Sequence, residues 1–193
     1  MLDGFHRLIL GVLYAASAAL TFSALGIPDL INPDEVIPAT VSFESGRIED
    51  LAEPALAAVD YPWRDELPGW QIQFVSGASN IAGYTWSREE RIEVFVRPGA
   101  TSADLARILA HELGHAVDVS RNSGDDRREW LAVRGIDEAP WWPGNGLADF
   151  ATGAGDFAES FAVWQVGDED YRGELGPSPT AEQLEVLERL SFD

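Results

Sequence analysis

Cysteine and lysine are both absent from this chain of 193 residues, and histidine occurs only three times. Without cysteine there can be no disulfide, no thiolate nucleophile and no sulfur-ligated metal. Without lysine, every basic side chain is one of 13 arginines, which we read as the bias of a GC-rich bacterial genome rather than as mechanism. Positive charge is scarce altogether. Thirty-three acids leave a formal net charge of -20, which argues against a nucleic-acid partner because a polyphosphate needs a basic footprint. The acids are scattered and read as a solubilising surface. With 46% apolar and 24% charged residues, the chain has the balance of a folded domain with a sizeable core.

Charge is missing locally as well. Arg7 precedes an uncharged apolar run from Leu8 to Ile27, closed by Pro28 and Asp29. Twenty helical residues rise about 30 Å, enough to cross a bilayer. A shorter reading takes Leu8 to Tyr14 as the apolar part of a signal peptide, with Ala16–Ser17–Ala18 as its cleavage site. Both readings put the rest of the chain outside the cytoplasm, anchored or secreted. Residues 1–28 are therefore expected to form a signal peptide or anchor helix, 29–47 a Pro- and acid-rich linker, and 48–193 one domain.

Within that domain, residues 48–59 suggest a short helix, in which Pro54 is tolerated only in a first turn. Trp70 to Val75 and Arg91 to Arg97 alternate in the manner of strands, with a loop at residues 77–83. Residues 101–119 form the clearest helix, capped by Thr101 or Ser102 and carrying an apolar stripe of Leu105, Ile108, Leu109, Ala116 and Val119. Helical patterns recur at residues 127–135, 155–166 and 180–190. Strands followed by helices imply an α+β fold in a single domain.

The clearest helix contains HELGH, residues 111–115. Residues four apart stand one turn above each other, so His111 and His115 can reach one ion at the roughly 2.0–2.1 Å that zinc requires. Glu112 leans toward the same place without binding. It can act as general base on a water whose pKa zinc lowers to about 7. Gly114 is expected to leave space beside the ion.

A catalytic zinc needs a third protein ligand and an open fourth position. His6 lies in the N-terminal apolar segment and cysteine is absent, so that ligand is expected to be a carboxylate. The stretch GDFAESFAVWQV (residues 155–166) offers Glu159, which a helical projection places on an apolar face where an unpaired acid is costly. Asp156 is the alternative, although Asp156 and Glu159 also spell a capping box. Asp149 and Glu129 stand further back. Asp118, one turn after His115, suits a carboxylate that fixes a ligand imidazole from behind. Trp141 and Trp142 read equally as core or as a substrate pocket.

HELGHAVD followed by DFAESFA resembles the zincin metallopeptidases, and within them the gluzincins, including lethal-factor-type and many bacterial zinc peptidases. The resemblance covers about residues 91–166. It implies a zincin-like fold, a Zn2+ cofactor, a peptide or protein substrate, and a sheet edge at Arg91–Arg97 that pairs with extended substrate. In such relatives an acid commonly stands four residues before the glutamate of FAE, where this chain has Gly155. The reading is a zinc-dependent endopeptidase; the alternative is a zincin-like module that binds metal or peptide without turnover. Tyr171, Tyr84 and Arg172 are candidates to stabilise an oxyanion.

Overall fold

The computed structural model describes residues 36–77, 81–144 and 147–193. The apolar run over residues 8–27, its readings as signal peptide or membrane anchor, and the extracytoplasmic location that depends on them lie outside the described residues. Among the described residues, no helix is long and apolar enough to cross a membrane.

The fold is α+β; among the described residues there are four strands in one mixed sheet and six α-helices. The strands are β1 (Thr40–Phe43), β2 (Gln71–Ser76), β3 (Gly83–Trp86) and β4 (Arg91–Val96), ordered β1-β2-β4-β3. β1, β2 and β4 run parallel, and β3 runs antiparallel to β4. Alternation sorts the two faces. Ile72, Phe74, Ile92, Val94 and Val96 turn inward and are buried, while Gln71, Gln73, Arg91 and Glu93 face outward.

The inner face is covered by α1 (Gly46–Ala57) and α3 (Ser102–Arg121), with the short α2 (Trp63–Glu66) leading into β2. α3 is the central helix. Its N-terminus is held by a capping box in which Asp104 N–H donates to Thr101 Oγ1 (3.2 Å) and Thr101 N–H donates to Asp104 Oδ2 (2.8 Å). Its other face meets α5 (Gly153–Val166) where Gly114 lets the backbones approach. A Cβ at residue 114 would stand 2.7 Å from Ala158 Cα and 2.9 Å from Phe161 Cβ. That glycine serves helix packing rather than space beside an ion, as the sequence had suggested. α4 (Gly124–Arg134) and α6 (Ala181–Phe192) complete the helical side.

Three features differ from expectation. Residues 40–43, read as linker, form β1, because Val41 and Phe43 pack against the core beside β2. Pro54 lies inside α1 rather than in its first turn; it is exposed, as is Asp50, whose carbonyl loses a helical partner, so water can replace the missing bond. β4 is not a sheet edge. The edges are β1 and β3; β3, formed by Gly-Tyr-Thr-Trp, is folded back onto β4 by a four-residue turn.

Candidate metal centre and cleft

His111 and His115 lie one turn apart on α3, with ring centroids 4.9 Å apart. Both offer Nε2 to the same carboxylate oxygen: Asp149 Oδ2 stands 3.0 Å from His111 and 3.2 Å from His115. Ligands on a tetrahedral zinc with bonds of 2.0–2.1 Å would stand roughly 3.3–3.4 Å apart, close to this spacing. Among the described residues this is the group that could hold a metal ion.

The protonation pattern is compatible with this. His111 Nδ1 is 3.0 Å from Glu159 Oε2, to which Nδ1–H donates. Nε2 then faces the Asp149 oxygen, and that contact is satisfied either by a proton on Nε2 or by a metal ion that both atoms bind. Burial opposes a charge on His111. Hydrogen bonds to Asp149 and Glu159, with Glu112 nearby, nevertheless raise its pKa to about 10. Burial likewise works against the Asp149 carboxylate, but both imidazoles hold it well below its usual range. The carboxylates around His111 therefore favour positive charge on its ring.

Asp149 comes from a turn of 3-10 helix, Asp149–Ala151, immediately before α5. Its carbonyl accepts from Thr152 N–H (2.9 Å) and Thr152 Oγ1–H (2.8 Å), and Thr152 also caps α5 by accepting from Gly155 N–H (3.0 Å). Gly155 makes room for this delivery. A Cβ there would stand 2.0 Å from the Asp149 carbonyl oxygen and 3.0 Å from Asp149 Oδ2. Phe150 packs on the His111 ring at 5.3 Å between centroids. Upstream, the chain is tied down at Trp141, whose Nε1–H donates to Asp118 (3.0 Å) and whose carbonyl accepts from Ala154 N–H (2.9 Å).

The expected third ligands are placed elsewhere. Glu159 sits behind His111, buried, accepting from Arg107 and from Arg172 N–H (2.7 Å). Burial pushes its carboxyl up, but His111 and Arg107 hold it below the usual range. This is the arrangement of a carboxylate that orients a ligand imidazole. Asp156 is fully buried against Arg134, with Nε donating at 2.8 Å and NH2 at 3.0 Å, and Trp130 Nε1–H donating at 3.0 Å. It is a structural anion, and the cap of α5 is Thr152 rather than Asp156. Glu129 pairs with Arg189 at the surface.

Asp118 contacts neither imidazole through a hydrogen bond. It is buried between Arg127 Nε (2.9 Å) and Trp141, and burial, although opposed by both, raises its carboxyl. It fixes the segment that leads to Asp149. The expected role behind a ligand imidazole falls to Glu159 because the packing of α5 on α3 brings that residue to Nδ1.

These placements separate two outcomes. Glu159→Gln should weaken metal binding roughly 10–100-fold, as loss of an orienting carboxylate does, in a competition titration with a chelator. Asp156→Asn should keep metal affinity near wild type but destabilise the fold by about 3–5 kcal/mol in chemical denaturation, because it breaks a buried ion pair.

The centre opens into a cleft of about 600 Å³ between β3, α3 and the segments before and after α5. Glu112 faces it, and Thr85 Oγ1–H donates to Glu112 Oε2 at 2.7 Å. Gly83 admits this carboxylate, since a Cβ there would stand 2.6 Å from Oε1. Tyr84, Trp142 and Arg172 line the cleft. Tyr171 does not. Its hydroxyl accepts from Arg134 (3.1 Å), and burial beside Asp156 pushes its pKa to about 12. Trp141 packs on Phe157 in the interior while Trp142 is exposed, so the tryptophan pair divides between core and cleft.

The structure brings His111, Glu112 and His115, singled out from the sequence, to one cleft together with Asp149, which the sequence ranked low. One signal was available: Asp149 is the only charged residue from 139 to 155. Thr85, Gly83 and Arg107 carried no such mark. No protein-family model, curated protein or solved structure matches the chain.

Proposed function

We propose that the chain is a metallohydrolase and, more narrowly, a zinc-dependent peptidase of the zincin type that cleaves within an extended peptide. The observation that carries this reading is the convergence of His111, His115 and Asp149 on one point in a cleft that Glu112 also faces. Two imidazole nitrogens and one carboxylate oxygen suit zinc better than magnesium or calcium, which prefer all-oxygen shells.

Bound there, zinc would supply a Lewis acid for a carbonyl oxygen and an acidified water. The protein's own groups supply the rest. Glu112 is positioned to take a proton and to deliver it to a departing amine, and the Thr85 hydroxyl fixes its carboxylate. Glu159 keeps His111 in the tautomer that presents Nε2. β3 is paired on one side only, so its free backbone edge can accept an extended peptide as an added strand. This moves the substrate edge from β4, where the family resemblance had suggested it, to β3.

The test is direct. Full-length protein reconstituted with zinc should hold about one equivalent per chain, measured by elemental analysis without a histidine tag. It should cleave a broad peptide library, lose that activity to a chelator and regain it with zinc. Marginal zinc content would overturn the metal assignment. Full zinc with peptides bound but uncut would replace the peptidase with a binding module.

A further inference from the structure

Three arginines line the cleft. Arg107 is used internally: it pairs with Glu159 and donates to the Gly167 carbonyl at 3.1 Å. Arg97 and Arg172 are not used in this way. Both are exposed, and among the described residues neither guanidinium forms an ion pair with a carboxylate. In a chain of net charge -20, two exposed guanidinia that line the cleft without a direct carboxylate ion pair are open to an anion from outside.

Their position is defined. Arg97 follows β4, next to the start of β3, and Arg172 follows α5. The Arg172 backbone is registered to the metal centre, because its N–H donates to the same Glu159 that orients His111. Among the acids lining the cleft, Asp104 is engaged by the Thr101 backbone and hydroxyl, which lower its pKa with a further contribution from Arg172, and Asp170 lies two residues before Arg172 in the chain. The opposite end is different. There the cleft adjoins a hollow sharing Ser87 and Val119 with it and lined by Glu66, Glu90 and Asp193. Arg121, the one cation in that hollow, pairs with Glu66. A carboxylate on a bound peptide is therefore attracted to one end and repelled from the other.

We propose that Arg97 and Arg172 form a subsite for a substrate carboxylate, either an Asp or Glu side chain or the peptide's own C-terminus. This rests on the peptidase reading above. Guanidinium suits the role, since its planar donors match both oxygens of a carboxylate.

The experiment uses full-length, zinc-loaded protein and a proteome-derived peptide library, with cleavage sites read by mass spectrometry. Expected is an enrichment of Asp, Glu or chain ends at one fixed position on one side of the cut. Matched peptides then separate the two sources: Glu against Gln at that position, and free acid against amide at the C-terminus. The preferred carboxylate peptide should exceed its neutral counterpart in kcat/KM by roughly 10–100-fold, mainly through KM. In the Arg97→Gln, Arg172→Gln double variant this ratio should fall toward one with zinc content and melting unchanged, and lysine at both positions should restore part of it. Cleavage with no preference for carboxylate, or a preference that survives the double substitution, overturns the subsite and leaves the peptidase intact. Absence of any cleavage by zinc-loaded wild type overturns the peptidase reading, and the subsite with it.

Discussion

Glu112→Gln should abolish nearly all peptide cleavage while zinc content stays near one equivalent. The substitution keeps the side chain's shape and leaves both imidazoles and Asp149 in place, so nothing that could hold the ion is removed. What goes is the proton acceptor facing the cleft. General-base catalysis is typically worth about 10²–10⁴-fold. Loss of the negative charge beside the attacking water adds to that, so kcat should drop by at least that range. The Thr85 hydrogen bond can survive the change: Thr85 Oγ1–H donates to a carboxylate oxygen at 2.7 Å, and a glutamine can present its amide oxygen there. Single-turnover kinetics on a cleaved library peptide, with zinc measured on the same sample, decides the matter. Wild-type rates in a zinc-loaded Glu112→Gln protein would remove the proposed mechanism.

Asp149→Ala should cost the site its metal. It removes the one oxygen shared by both imidazoles, so affinity should fall by more than the roughly 10–100-fold expected for an orienting group such as Glu159. Gly155→Ala should act in the same direction without touching any ligand, since its methyl group meets the Asp149 backbone at 2.0 Å. Because that collision is with backbone, the 3-10 turn has to shift and carry the carboxylate away. Chelator competition on the two variants, with Glu159→Gln beside them, ranks the three. A wild-type affinity in Asp149→Ala, with zinc lost in Glu159→Gln, would return the ligand role to Glu159.

The helix carrying HELGH was legible because local rules write it: a capping hydroxyl, an apolar stripe and two histidines at helical spacing all fall within about 20 residues. β2 and β4 were legible from alternation, whereas β1 and β3 were not. Each has four residues, too few for a period, and each becomes a strand only because a longer neighbour offers it a ladder. The place of Asp149 was hidden for a related reason. Glu159 was singled out because an acid on an apolar helical face needs a partner, and it has partners in Arg107 and His111. Burial identified an engaged acid but not what engages it. Asp149 sits in irregular chain, where no periodicity says which way a side chain points, and its position depends on Thr152, Gly155 and the Trp141–Asp118 contact together.

The delivery of Asp149 from outside the helices divides the centre into unequal halves. His111 and His115 share one rigid helix, so their separation barely changes whether or not an ion is shared. Asp149 lies 34 residues beyond His115, with all of α4 between them. An ion joining the two closes a covalent circuit through that stretch, as a disulfide would. For a disulfide, closing a loop of that length limits the unfolded chain by about 4 kcal/mol on the entropy model. This chain has no cysteine; the cation would be its cross-link as well as its reagent.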